Sequence, residues 1–125
     1  MRQRLLITTV ALVALAASRG SAHHPFASYD MQREVTVTGD VVRAIYAEPH
    51  SFLHVRESGT GDGKTLWVGE LKGVSTLRAR SLTPQTLKAG ERVTLRGNPG
   101  RVAADHRLWL TSVVRARDGW TWSAP

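Results

Sequence analysis

The chain lacks cysteine altogether. That excludes a disulfide framework, a thiolate metal site and cysteine catalysis, since each needs a sulfur that is absent. Aromatic residues are sparse, with four Trp, two Tyr and two Phe among 125 residues. Long apolar runs are lacking too. The one such stretch, Leu5 to Ala17, holds 13 residues, short of the roughly 20 that a membrane-spanning helix needs. No glycine-rich phosphate loop opens a helix, and Ser51, Ser58 and Ser75 stand outside any nucleophile-elbow context. Neither an internal repeat nor a low-complexity tract occurs. Disorder as the main state is excluded as well, because 42% of residues are hydrophobic and the charge is moderate.

What is present begins with an address. Met1-Arg2-Gln3-Arg4 is basic, Leu5 to Ala17 is apolar, and Gly20-Ser21-Ala22 supplies small residues at a cleavage site, the layout of a secretory signal peptide over residues 1–22. The expected mature product starts at His23, is periplasmic or secreted, and has no membrane span. The formal net charge of +7 hints at an anionic partner, but Arg2, Arg4 and Arg19 fall in the leader, which leaves 14 basic and 10 acidic residues in the remaining 103. The arginines are spread along the chain rather than clustered, which argues against nucleic acid as the partner.

Residues 23–33 read as an extended arm, because Pro25 blocks an early helix and no apolar period is sustained. Residues 34–125 read as one β domain. Val35 to Tyr46 is rich in β-branched residues and alternates, with Gly39 in the middle where a strand could bulge or bend. Ser51–Arg56 is a second strand, Ser58–Gly63 a turn with three glycines, and Thr65–Leu71 a third strand. Val74 to Arg80 suits one or two helical turns, and Thr83-Pro84 resembles an N-cap followed by proline at the first helical position. Arg92–Arg96 is a fourth strand broken by Gly97-Asn98-Pro99-Gly100, Arg107–Arg115 a fifth, and Trp120-Thr121-Trp122 a tail able to add an edge. Five strands with a short helical insert between the third and fourth match a small OB-like partly open β-barrel. A small β-sandwich or another half-open roll has a similar order of elements.

Ala22-His23-His24-Pro25-Phe26, then Val35 to Val41, then Pro49-His50-Ser51-Phe52-Leu53-His54-Val55 resemble a bacterial family of small exported proteins, a domain of unknown function. The likeness continues through Trp67, Glu70-Leu71, Leu82-Thr83, Leu87 to Glu91, Val93 and Gly97-Asn98-Pro99. Where the family typically has Asn-Pro-His, this chain has Glu48-Pro49-His50, which keeps the histidine and removes the carboxamide. The resemblance implies export and a β-barrel-like domain.

All five histidines lie beyond the leader. Histidines without cysteine suit Cu(II), Zn or Ni. With cleavage after Ala22, the amine and imidazole of His23 can chelate one metal together. Cleavage one residue earlier places His24 third, where amine, amides and imidazole surround a square-planar Cu(II). His50 and His54 share a strand face, but four residues at ~3.3 Å rise separate them by about 13 Å, beyond joint ligation of one ion. The candidate metal ligands are therefore His23, His24, His50 and His54, with His50 the expected partner of the terminal pair. Glu48, Glu70 and Asp30 can serve as carboxylate ligands or as acceptors for an imidazole N–H, against the plainer expectation that each is a solvated charge. His106 is expected to be solvated, and Trp67 and Trp109 to be core residues.

Two functions follow from this sequence. The first is an exported, non-enzymatic binding module with copper or another divalent metal held by the N-terminal histidines. The alternative is a metal-free accessory domain that docks to an envelope protein or polymer through its barrel face. No nucleophile or base constellation recommends an enzyme.

Overall fold

The computed structural model describes residues 25–59 and 65–125. The leader, His23 and His24 therefore lie outside the described residues. Six strands form one sheet, with a single short helix between the third and fourth. They are β1 (Val35–Ile45), β2 (His50–Glu57), β3 (Leu66–Lys72), β4 (Arg92–Pro99), β5 (Arg107–Arg115) and β6 (Thr121–Ser123), and the helix is α1 (Val74–Arg78). Antiparallel pairing joins β1 to both β2 and β4, β2 to β3, and β4 to β5. A short parallel ladder between Val68–Glu70 of β3 and Arg107–Trp109 of β5 brings the ring partly closed. That ladder covers part of the β3 edge and leaves the ring partly open, as in the OB-like arrangement expected from the element order.

Alternation sets which face each residue takes. Ser51, Leu53 and Val55 of β2 point inward, and so do Val93 and Leu95 of β4 and Leu108, Leu110 and Val113 of β5, all almost fully buried. Leu77 of α1, with Leu82 and Leu87 of the following turns, plugs one end of the ring, and Trp122 of β6 joins the same cluster. Gly39 pairs with Glu57 on one side and Val93 on the other. A Cβ there would collide with the Arg56 carbonyl, so glycine lets β1 coil tightly between two neighbours. The irregularity in register falls three residues later, between Val41 and Arg43, rather than at Gly39.

Three local expectations change. Gly97-Asn98-Pro99 does not end the fourth strand. A register shift between Arg96 and Gly97 lets Asn98 and Pro99 continue pairing with Trp109 and Leu108. Gly97 is required at that point because a Cβ would meet the Trp109 backbone. Pro25 does not keep the arm extended. It opens a 3-10 turn, Pro25–Ser28, a position where its missing N–H is not needed. Thr83-Pro84 starts a turn closed by Thr86 N–H donating to the Thr83 carbonyl, with no further helix.

Candidate functional site

Period-two alternation sends Glu70 and Trp109, directly paired across β3 and β5, to the outer face of the ring. Yet they are only 5% and 6% exposed. What covers them is the N-terminal arm. Asp30 N–H donates to the Pro99 carbonyl, Arg101 N–H to the Ser28 carbonyl, and Tyr29 bridges Gly100, so the arm is stitched onto the turn that follows β4. Phe26 then stands edge-on to the Trp109 ring at 5.1 Å between centroids, and the Tyr29 ring lies 5.9 Å away on a tilt. Both Tyr29 and Trp109 are buried, but neither belongs to the central core cluster. They form a second, smaller cluster outside the ring.

Glu70 is the polar centre of that cluster. One carboxylate oxygen accepts from the His50 Nδ1 at 2.6 Å. The other accepts from Arg107 Nη2 at 2.6 Å and from the Tyr29 hydroxyl. A buried carboxylate needs such compensation, and charge-assisted bonds supply it. Burial raises the Tyr29 hydroxyl well above its ordinary pKa, and the bond to Glu70 raises it further, so Tyr29 remains a neutral donor.

His50 opens β2 opposite Lys72 of β3, its side chain 28% exposed and its ring edge-on to Trp109 at 5.6 Å. A carboxylate only accepts, so Nδ1 carries the shared proton and Nε2 keeps a lone pair in the neutral ring. A carboxylate fixing one ring nitrogen while leaving the other available is the support that metal-binding histidines use. Glu70 is thus the acceptor for an imidazole N–H, and the expectation of a solvated charge is corrected by its burial. Glu48 instead accepts from the Ser75 amide and hydroxyl at the start of α1, and those bonds hold its carboxyl below the ordinary value. Asp30 accepts from the Gln32 amide.

The structure does not bring His54 to His50. β2 is continuous between them, and His54 sits half-buried opposite Arg43 and Val68. Burial, followed by the Arg43 charge, lowers its pKa. His106 is not freely solvated either. Its left-handed backbone (φ 47°) turns the ring edge-on to Trp67 at 5.2 Å, half-buried. Trp67 packs against the core only partly buried, with its indole N–H donating to Glu57. Among the described residues, no three His, Asp or Glu side chains converge on a point that could hold a metal ion.

Tyr29 and Arg107 carry no motif that singles them out, and they reach Glu70 across 41 and 37 positions. The available signal was one of register. Glu70 and Trp109 stand at outward positions of apolar strands, which implies a cover. A family of unknown function, DUF6152, matches residues 10–109. The chain belongs to this family. No curated protein matches it. The match reaches from before the arm into the first residues of β5, as far as Trp109, and so includes every residue of the Glu70 cluster. Among the described residues, no helix is long and apolar enough to cross a membrane.

Proposed function

We propose that this chain is an exported, non-enzymatic binding module that holds copper or another divalent metal between His50 and the histidines at the head of the arm, His23 and His24. The observation that carries this reading is the His50 Nδ1 bond to buried Glu70, which orients the ring and frees Nε2. Chain geometry supports it. Phe26 and His50 contact the same Trp109 ring, and His24 stands two residues before Phe26, a span of at most about 7 Å. The ligand set is then a terminal amine, one arm imidazole and His50 Nε2. Nitrogen ligands in that number favour Cu(II) over Zn(II) in the usual affinity order.

Calorimetric titration of the processed chain with Cu(II) tests this, with His50→Ala and an N-terminally extended form beside it. His50→Ala is expected to lose affinity sharply, as is the extended form. Affinity should also fall as the pH drops below about 6, because protons compete for imidazole and amine. Equal affinity in all three proteins would leave an ordinary arm. The docking alternative is favoured by Phe26 and Met31, which stand 42% and 44% exposed on one rim.

A further inference from the structure

β3 stays beside β5 only as far as Glu70 and Trp109. It then turns at Gly73 into α1, while β5 acquires β6 as a neighbour only from Ser112 onward. Between the β3–α1 corner and the β5–β6 pair the ring stands open, and a cavity of about 260 Å³ fills the gap. Its walls include Phe26, Trp109, Leu110 and Trp122, with Lys72 and Thr76 lining the corner side. Leu110 and Trp122 are 1% and 4% exposed, so those walls are fixed by the core, whereas exposed Phe26 forms an adaptable lip. Lys72 carries the one charged side chain of the lining, which also takes in Pro125, the last residue. Among the described residues no carboxylate pairs with Lys72, since the ion pairs of this region converge on Glu70 from His50 and Arg107.

We infer that this cavity is a binding site for a small organic monocarboxylate, its apolar body against Trp109, Leu110 and Trp122 and its carboxylate toward Lys72. The cavity's size and its one charged side chain point to that class. The volume falls just under the ~300–1,000 Å³ typical of drug-sized ligands, which suits a single ring or a short branched chain. The Lys72 ammonium attracts an anion and repels a cation of the same shape, an effect softened by solvent because Lys72 is exposed. Aromatic faces and edges give the body of the ligand a defined seat. The site goes beyond the metal reading and does not depend on it.

Benzoate is the direct probe, titrated into the processed chain with a chelator present so that metal binding plays no part. Tryptophan fluorescence follows the event, because Trp109 and Trp122 line the cavity, and calorimetry gives the stoichiometry. The expected result is saturable one-to-one binding at millimolar concentration or below, with benzamide and benzylamine bound at least about tenfold more weakly. Lys72 is exposed, so Lys72→Met should fold normally, and it should weaken benzoate by a similar factor while leaving benzamide unchanged. No saturable binding of benzoate would overturn the inference. So would equal binding of benzoate and benzamide, or a Lys72→Met protein that binds benzoate as the parent does.

Discussion

Glu70 shows how one residue can hold two parts of a protein together and also orient a side chain on a third. Its carboxylate ties Tyr29 of the arm, Arg107 of β5 and His50 of β2 to one point on β3. Glu70→Gln keeps the shape and removes the charge. It should cost about 2 kcal/mol in urea unfolding, between the cost of an exposed pair and that of a fully buried one, because Arg107 is 39% exposed and can turn to solvent. The same change should lower copper affinity about 10- to 100-fold, the usual effect of losing a carboxylate behind a ligating imidazole. An unchanged affinity would separate Glu70 from metal binding while leaving its structural role intact. His54 has a different task. Burial and Arg43 hold its pKa below the ordinary value, so the unfolded chain takes up the proton first. Its contribution to stability is complete above about pH 6.5 and is lost as the pH falls toward the lowered folded value. Stability measured between pH 7 and pH 5 should therefore decline, and His54→Gln should flatten that decline.

At the scale of elements, the arm behaves as a strap and not as a strand of the barrel. Its attachments include backbone bonds to Pro99 at the end of β4 and Arg101 just beyond it, side-chain bonds from Asn98 and Arg101 to arm carbonyls, the Tyr29 side chain on Glu70, and Phe26 against Trp109. Tyr29→Phe keeps the apolar contact and deletes a bond to a charged acceptor, a loss of about 1.5–3 kcal/mol. Hydrogen exchange should locate that loss. The Asp30 and Arg101 amides, which bond across the strap, should exchange faster through local opening, while the Val41 amide, bonded to the Glu91 carbonyl, should keep its protection beyond any global change. Uniform acceleration at all three sites would mean that the arm folds and unfolds with the barrel as one unit. The strands were largely legible in the sequence because β1, β2 and β5 alternate strongly and the helical insert interrupts the pattern after Leu71. The run from Gly97 to Pro99 was not, because glycine and proline read as breakers there. A bulge lets both residues stay in the ladder.

For the whole molecule, the contrast between core and site has one physical source. Core residues follow the local period, as Leu53 and Val55 do in β2 and Leu108 and Leu110 in β5. The Glu70 cluster depends on a partly closed ring and on an arm that folds back over its outside, and neither leaves a periodic trace in the chain. His50 was legible because it follows Pro49 among other histidines, but Tyr29 and Arg107 became site residues only when the ring brought β3 and β5 together. Trp109 was correctly read as buried, though under the arm rather than within the central core. The central claim is a bond between copper and His50 Nε2. Electron paramagnetic resonance of the processed chain loaded with one equivalent of Cu(II) tests it most directly, with His50→Ala compared under identical conditions. The wild-type spectrum should show tetragonal nitrogen coordination, and His50→Ala should shift the copper hyperfine splitting and lose one imidazole from the nitrogen pattern. Superimposable spectra from the two proteins would contradict it.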